Sequence, residues 1–256
     1  MWQSARVAVI VPCFREVRLI KRTISGIPPF VDRVVVVDDA SDDGTAEAVR
    51  TMRDARVELR MHAQNRGVGA AIVTGYRAAL AAECDVLAVM AGDAQMDPED
   101  LARVLAPVAL GQASYVKGNR FLHARSAEMP LARRLAGRLL AVATRIATGL
   151  AVDDCQCGYT AISATAANSL PLEELWPRFG YPNDLLGMLA ARGLRVLEVP
   201  VRPVYADEQS GVRPWHALSI LGLIARRYWR ERPTRRALPG ASSADGAIDD
   251  LLSEAE

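Results

Sequence analysis

The sequence predicts an α/β protein whose mixed, mostly parallel sheet is flanked by helices on both faces. Two observations lead to this fold class. Short β-branched runs, nearly continuous in apolar residues, recur along the chain, and the stretches between them carry apolar side chains at three-and-four spacing. Strands and helices that alternate in this way form βαβ units, in which the strands run parallel.

The first half of the chain shows this alternation most clearly. We predict strands over residues 6–11, 33–38, 56–61 and 85–90, and helices over residues 16–26, 45–53 and 67–82. The strands have the near-continuous apolar character of strands that are buried on both faces. The resulting βαβαβαβ series is a layout typical of nucleotide-binding proteins.

The second half is less regular and is expected to extend the same sheet. Its predicted elements are a strand at 115–117, a long helix at 131–150, a helix at 183–191 and a strand at 195–199. We therefore expect one domain over residues 1–232. Residues 233–256 are rich in Pro, Gly, Ala, Ser and Asp, cannot offset their ordering entropy by burial, and are predicted to form a disordered tail.

Composition excludes several classes of protein. With 31 basic and 30 acidic side chains, the chain has no global field to attract nucleic acid. Its four cysteines are too few for a disulfide scaffold, and the absence of a signal-peptide pattern predicts a cytoplasmic location. The longest apolar helix candidate is interrupted by four arginines, so no membrane-spanning segment is expected.

Polar residues follow four of the predicted strands, where open parallel sheets bind their ligands. The segments are Val-Pro-Cys-Phe-Arg-Glu at 11–16, Val-Asp-Asp-Ala-Ser-Asp-Asp-Gly-Thr at 37–45, Gln-Asn-Arg-Gly-Val-Gly-Ala-Ala at 64–71 and Gly-Asp-Ala-Gln-Met-Asp-Pro at 92–98. Asp38 and Asp39 can accept hydrogen bonds from a base or a ribose, and the free amides at Gly67 and Gly69 suit a phosphate. The alternative is that these are turn and helix-cap residues.

The four segments, in this order and spacing, resemble inverting glycosyltransferases of family 2, in particular the dolichyl- or polyprenyl-phosphate mannosyltransferase-like enzymes. The Asp-Asp-x-Ser-x-Asp-Gly-Thr element at 38–45 is the most specific part of a resemblance that covers the first 160 residues or so. It implies a GT-A (Rossmann-like) catalytic domain over residues 1–232. The implied reaction moves a hexose from a GDP-mannose or UDP-glucose type of donor to a polyprenyl phosphate or a saccharide.

The resemblance also assigns residues to the donor. It implies nucleotide contact by a set of strand-end residues: Pro12, Phe14, Glu16, Asp38, Asp39, Ser41, Asn65, Gly67 and Gly69. Asp93 and Gln95 match the second aspartate and the glutamine of the family's metal motif, while Ala91 stands at the first aspartate. Mg²⁺ or Mn²⁺ held there would neutralise the leaving diphosphate. Asp97 is instead expected to cap the helix that Pro98 opens.

The acceptor side is less defined by the sequence. Asp93 is predicted to be catalytic through the metal ion, and the resemblance makes Asp184 and then Asp154 the candidate general bases, although a helix-start acid is the alternative for Asp184. Arg120 and Arg133 match arginines that hold a lipid phosphate, whereas Gly137 replaces the serine of that motif. An ionised phosphate acceptor needs no base, so both acceptor classes stay open.

The basic helices predicted in the second half of the chain favour peripheral attachment of a cytoplasmic protein to the inner face of the membrane. The alternative is that their basic side chains form a solvated face.

A second possible function is that of a catalytically weak homologue that binds a nucleotide sugar or a partner, and this alternative is prompted by Ala91. A sugar-nucleotide pyrophosphorylase would need a glycine-rich loop after the first strand, where the chain has Pro-Cys-Phe-Arg-Glu. A dinucleotide-dependent dehydrogenase is disfavoured because Ile72 stands where its fingerprint needs a small residue.

Overall fold

The structure is a computed structural model, and it describes residues 2–204 and 214–231. These residues form a seven-stranded sheet and eight α-helices. The strands are β1 (Val7–Cys13), β2 (Arg33–Asp38), β3 (Val57–Met61), β4 (Val86–Val89), β5 (Tyr115–Asn119), β6 (Thr160–Ser163) and β7 (Val196–Pro200). The helices are α1 (Ile20–Gly26), α2 (Thr45–Arg50), α3 (Val68–Ala81), α4 (Leu101–Ala109), α5 (Leu131–Thr148), α6 (Ala164–Ser169), α7 (Tyr181–Ala191) and α8 (Pro214–Glu231).

The strand order is β3-β2-β1-β4-β6-β5-β7. All neighbouring pairs are parallel except those of β6, which runs antiparallel to both β4 and β5. The predicted mixed, mostly parallel sheet is therefore confirmed. Because β3, β2, β1 and β4 are consecutive and parallel, their carboxyl ends lie side by side at one end of the sheet.

Burial follows the position of each strand in the sheet. Every residue of β1 and β4 is buried, as is every residue of β2 after Arg33. The prediction of strands buried on both faces is wrong for β3, whose residues are half-buried or exposed. The reason is that β3 is the outer strand of the sheet, so its polar Glu58 and Arg60 meet solvent.

Two hydrophobic cores cover the two faces of the sheet. One contains Ile10 and packs under α3, α5 and α7, while the other contains its neighbour Val9 and packs under α1 and α4. Successive strand residues point to opposite faces, which explains the division. Helix α3 lies very close to β1, since a Cβ added at Gly75 would be 2.3 Å from Cγ2 of Ile10.

Several boundaries differ from the sequence predictions. Helix α1 begins at Ile20 because the carbonyl of Glu16 closes a turn with the amides of Leu19 and Ile20. Strand β6 and helix α6 were not predicted, because a four-residue strand joined directly to a six-residue helix is too short to show a period. The predicted tail at 233–256 lies outside the described residues, as do residues 205–213.

Candidate active site

Four loops meet at the carboxyl end of the sheet, each following one of the strands β1 to β4. The amide of Asp39 donates to the carbonyl of Cys13 at 2.9 Å, and the amide of Gly92 donates to the carbonyl of Pro12 at 3.0 Å. These bonds continue the pairing of β1 with β2 and β4 beyond the strands. The loops after β2 and β4 consequently lie on either side of the loop after β1.

Three of the four loops contain a non-glycine residue with left-handed backbone. They are Arg15 with φ 59°, Ala40 with φ 62° and Ala94 with φ 55°. Such a conformation costs on the order of 1 kcal/mol or more for each residue and recurs at ligand-binding sites. Its repetition at one end of this sheet marks these loops as the candidate site.

Asp38 ends β2 and is completely buried. One carboxylate oxygen accepts a short hydrogen bond from the hydroxyl of Ser41, and the other accepts from the amide of Ser41 at 3.3 Å. The Ser41 hydroxyl oxygen also accepts from the amide of Arg15 at 2.9 Å. Asp38 and Ser41 thus hold the first two loops together, and their contact with a nucleotide stays a prediction.

Asp39 connects β2 to the start of α3. Its carboxylate accepts from the amides of Arg66 at 2.8 Å and Gly67 at 2.7 Å, and it lies 2.7 Å from Nδ1 of His62. Both the acid and the histidine are buried. The amide side chain of Asn65 donates to the Asp39 carbonyl at 3.3 Å, which brings a further predicted residue into this cluster.

The amides at the start of α3 already have partners within the protein. Gly67 N donates to Asp39, while Gly69 N donates to the carbonyl of Pro177 at 2.8 Å. A Cβ at Gly67 would be 2.4 Å from that carbonyl oxygen, and one at Gly69 would be 2.2 Å from the carbonyl oxygen of Trp176. The expectation of free amides is therefore wrong, and the two glycines allow a close approach of the 176–177 backbone.

The second loop also fixes the first through Asp43 and Thr45. Asp43 accepts from the hydroxyl of Thr45 at 2.6 Å and from the amide of Val17 at 3.2 Å, and Thr45 accepts from the amide of Glu16 at 2.9 Å. Desolvation opposes ionisation of Asp43, but these hydrogen bonds outweigh it and lower its pKa. Asp43 and Thr45 therefore set the position of Glu16, and Phe14 stands 39% exposed in the same loop.

Asp93 lies in the fourth loop and is half-buried. Its carboxylate accepts from the amide of Gln95 at 3.1 Å. The hydroxyl of Thr23, on α1, donates to the carbonyl of Gly92 and accepts from the amide of Ala94, both at 3.1 Å. Thr23 thereby fixes the turn that presents Asp93.

The donor set of this loop fits a hard divalent cation in part. Within the described residues, no group of three or more His, Cys, Asp or Glu side chains is placed to hold a metal. Mg²⁺ is commonly bound by one or two carboxylates, with phosphate and water oxygens completing the shell. Asp93 and the side-chain amide oxygen of Gln95 would be the protein ligands in such a shell. Asp97 caps the next turn by accepting from the amide of Glu99 at 3.1 Å, which confirms its predicted capping role.

Asp154, one of the two candidate bases, is buried and ion-paired with Arg120. Its carboxylate accepts from Nε of Arg120 at 2.7 Å and from Nη2 at 2.9 Å. Burial raises the pKa of Asp154, but the charge and hydrogen bonds of Arg120 outweigh it and the pKa lies below the usual range. The backbone amide of Asp154 donates to Glu198 on β7 at 2.9 Å, which holds this pair in place.

Asp184, the other candidate base, is also buried in an ion pair. It accepts from Nε of Arg227 at 2.6 Å, from Nη2 of Arg227 at 2.8 Å and from the amide of Trp176 at 2.8 Å. Through these contacts the Asp184 carboxylate joins α7 to α8, and its assignment as a general base stays a prediction. Arg133 is half-buried in the first turn of α5.

Sequence reasoning missed His62 and Thr23, which support Asp39 and the Asp93 turn respectively. His62 directly follows β3, so the strand-end rule that selected Asp38 and Asp93 could have found it. Thr23 lies inside α1 and has no such signal. Its role comes from the packing of α1 beside the fourth loop.

Comparisons with known proteins agree with this geometry. The family model described as Glycosyl transferase family 2 matches residues 8–156. The chain is 30% identical over 202 residues to an undecaprenyl-phosphate mannosyltransferase of Micrococcus luteus, covering 77% of this chain and 82% of the relative. It is 26% identical over 215 residues to a UDP-N-acetylglucosamine–dolichyl-phosphate N-acetylglucosaminyltransferase of Methanococcus voltae, covering 78% and 86%.

A solved structure shares the fold. Glucosyl-3-phosphoglycerate synthase of Mycobacterium tuberculosis, in complex with Mn²⁺, UDP-glucose and phosphoglyceric acid, superposes with a TM-score of 0.67 at 22% identity, covering 88% of this chain and 80% of that one. This likeness confirms the predicted GT-A architecture. Among the described helices, none is both long and apolar enough to cross a membrane.

Proposed function

The chain belongs to glycosyltransferase family 2 and is a nucleotide-sugar-dependent glycosyltransferase, and from this premise we propose that it transfers a hexose from a GDP- or UDP-linked donor to a polyprenyl phosphate. The observation that carries the proposal is the convergence of the strand-end loops around the half-buried Asp93. Relatives named for undecaprenyl phosphate and dolichyl phosphate support the choice of acceptor.

In this proposal the loops after β1 to β3 hold the nucleoside. Asp38 and Asp39 supply buried carboxylates beside Glu16, and partly exposed Phe14 offers a surface for the base. The carboxylates are fixed by protein hydrogen bonds before any ligand arrives. Such preorganised acceptors favour a ligand with hydroxyl or amino donors.

The diphosphate is proposed to lie beside Asp93. Asp93 and Gln95 would hold Mg²⁺ or Mn²⁺, and such an ion would supply Lewis-acid neutralisation of the charge that develops on the leaving diphosphate. A solved structure of the same fold contains Mn²⁺, which supports a divalent ion here. Asp93 would hold the ion at a turn whose backbone is hydrogen-bonded to the hydroxyl of Thr23.

The proposed reaction is an inverting displacement. An oxygen of the acceptor phosphate attacks the anomeric carbon, the bond from that carbon to the diphosphate oxygen breaks, and the nucleoside diphosphate leaves with the electron pair. No proton has to be removed from an ionised phosphate. Arg133 and Arg120 are the proposed phosphate-binding residues, and Arg120 would act with its charge balanced by Asp154. We further propose a cytoplasmic enzyme attached peripherally to the membrane that contains the acceptor.

A thermal-shift titration tests the donor site. GDP or UDP with Mn²⁺ is expected to raise the unfolding midpoint by mass action, and one of the two nucleotides should be selected. Asp93→Asn should keep the fold but weaken Mn²⁺-dependent binding at least tenfold, about 1.4 kcal/mol. Asp97→Asn is the matched control, since asparagine also caps helices and the residue lies in the same loop. Equal Mn²⁺-dependent affinity in parent and Asp93→Asn would refute the metal assignment.

The second candidate, a weakly active nucleotide-sugar-binding homologue, is favoured by one observation. Ala91 stands at the first acidic position of the metal motif, and its amide contacts the sulfur of Met96 at 3.3 Å. Slow release of nucleotide from the donor in the absence of acceptor separates the two candidates. An active transferase is expected to hydrolyse the donor measurably, and the homologue only to bind it.

A further inference from the structure

The outward face of α5 is unusually apolar. Five large aliphatic side chains on it are exposed: Leu131 by 68%, Leu135 by 55%, Leu139 by 72%, Val142 by 43% and Ile146 by 74%. Soluble proteins rarely expose so many large aliphatic groups together, and such patches mark sites of protein or membrane contact. We call these five residues the α5 apolar face.

Helical geometry places the α5 apolar face on one narrow stripe. At 3.6 residues per turn, its five side chains fall within about 80° of the helix circumference. The opposite side is the one that packs on the protein, where Leu140, Ala141, Thr144 and Ala147 are buried. The stripe is therefore additional to the surface that α5 needs for folding.

The charge of α5 indicates which kind of surface is complementary to the stripe. The helix contains four arginines and no acidic residue. Arg134, Arg138 and Arg145 lie along one border of the stripe; Arg138 is exposed, and Arg145 is exposed but ion-paired with Asp153 at 2.8 Å. Two copies of this helix face to face would set arginines against arginines, whereas a surface of anionic lipid headgroups complements them.

We propose that the α5 apolar face inserts its aliphatic side chains into the headgroup region of an anionic membrane, with the bordering Arg134 and Arg138 on lipid phosphates. The helix would lie in the plane of the interface and would not span it. Such binding combines buried apolar area with attraction to anionic lipid. The proposal deepens the proposed function and rests on it for the acceptor, but membrane binding itself can be measured separately.

The surroundings of α5 connect this surface to the acceptor residues. Arg133, a proposed phosphate ligand, is on the same helix. The loop after Arg120 packs on it, since a Cβ at Gly137 would be 3.1 Å from the ring of Phe121 and the Arg138 guanidinium is 5.9 Å from that ring. Leu122, next in the loop, is 57% exposed. Membrane docking would therefore hold the loop that follows Arg120 at the lipid surface, while Arg133, on the packing side of α5, faces the protein.

Vesicle sedimentation tests the docking surface. The full chain is expected to bind vesicles containing phosphatidylglycerol at least tenfold more tightly than vesicles of phosphatidylcholine alone. The triple variant Leu135→Gln, Leu139→Gln, Ile146→Gln should lose at least tenfold of that binding. Because all three side chains are exposed, its unfolding midpoint should match that of the parent. Leu110→Gln, at another exposed leucine, is the matched control and should bind as the parent does.

Other occupants of the α5 apolar face give different results. A dimer in sedimentation velocity that the triple variant dissociates, with no vesicle binding by the parent, would overturn the proposal in favour of a second copy. Vesicle binding that appears only when residues 233–256 are removed would show that the chain's own acidic segment occupies the face, which also overturns it. Equal binding of parent and triple variant has the same consequence.

Activity measurements distinguish this proposal from the proposed function. With a short-chain polyprenyl phosphate in solution, the triple variant should transfer sugar at the parent's rate, while transfer to a long-chain acceptor in anionic vesicles should fall at least tenfold. If neither form of acceptor reacts with the parent, the proposed acceptor is wrong. Vesicle binding that depends on the α5 apolar face would still support docking in that case.

Discussion

At the carboxyl end of the sheet, some residues are accessible from outside, and others are buried and hold the accessible ones in position. Phe14 and Asp93 are partly accessible, whereas Asp38, Asp39 and His62 are buried. Buried carboxylates need hydrogen bonds or a counter-charge to stay ionised. The support of Asp39 is consequently as much a part of the site as Asp39 itself.

His62 is the side chain that packs against the Asp39 carboxylate. Nε2 of His62 lies 2.9 Å from the hydroxyl of Thr74 on α3, and that hydroxyl donates to the carbonyl of Ala70 at 3.0 Å. Nδ1 faces the carboxylate of Asp39, which accepts only. The ring of His62 therefore connects Asp39 to helix α3.

Replacing His62 should weaken the nucleoside site without touching the metal turn. His62→Leu leaves Asp39 buried beside an apolar group, and we expect nucleotide affinity to fall about tenfold, about 1.4 kcal/mol, while the dependence on Mn²⁺ is unchanged. Calorimetry with the nucleoside and the nucleoside diphosphate measures both effects.

Two further variants separate positioning from general destabilisation. His62→Gln keeps an N–H donor for Asp39 and should recover part of the affinity. Thr74→Val removes only the hydroxyl that contacts Nε2 of His62, and its effect should be smaller than that of His62→Leu. Equal losses for nucleoside in all three variants would contradict a positioning role of His62 through Asp39.

Among the predicted site residues, the sequence located those whose place depends on a strand end. Asp38, Asp39 and Asp93 lie together because the parallel strand order fixes their neighbours. The environment of Asp154 and Asp184 was not predictable in this way. Their partners, Arg120 and Arg227, are 34 and 43 residues away along the chain, and tertiary packing alone brings them together.

At the level of elements, long periodic helices and β-branched strands were predicted well and short ones were not. Strand β2 has the predicted bounds, and α3 and α5 differ from prediction by one or two residues at an end. Strand β6 has four residues and takes its place by antiparallel pairing with β4 and β5. Such a strand has too few residues for its pattern to be distinguished from a loop.

Helices α7 and α8 are joined by the ion pair of Asp184 with Arg227, and we expect this pair to stabilise the fold. Removing one partner leaves an uncompensated buried charge, so Arg227→Met should lower the free energy of unfolding by about 3–5 kcal/mol. Asp184→Leu combined with Arg227→Met should recover much of that loss, since apolar replacements remove both charges. Urea unfolding of parent, single and double variants measures the difference.

The comparison variant for this pair is Arg230→Met, one turn further along α8 at a partly exposed ion pair with Glu174. Its effect should stay below about 1 kcal/mol. If the single Arg227 variant is as stable as the parent, Asp184 does not have this structural role, and its assignment as a general base is favoured.

At the scale of the whole molecule, the sheet separates two tasks. The consecutive strands β1 to β4 present the loops proposed for the donor, while the loop after β5 and helix α5 carry Arg120 and Arg133, the arginines proposed for the acceptor. Both carboxylates considered as bases lie in this second half, and both are ion-paired. The lowered pKa of Asp154 makes it a weaker proton acceptor, which disfavours activation of a sugar hydroxyl.

This arrangement predicts which acceptor reacts. A phosphate brings its own ionised oxygen, so we expect transfer from GDP-mannose or UDP-glucose to a short-chain polyprenyl phosphate in solution, and no transfer to a panel of saccharides. Arg133→Gln should lower the rate with the phosphate at least tenfold, about 1.4 kcal/mol. Arg134→Gln is the matched control, because its side chain leaves α5 about 100° away, and its effect should be much smaller. Arg120 is unsuitable for this comparison, since its replacement would strand the buried charge of Asp154. Product formation is followed for each donor with each acceptor. Transfer to saccharides only, undiminished by Arg133→Gln, would exclude the lipid-phosphate acceptor and leave the assignment to family 2 intact.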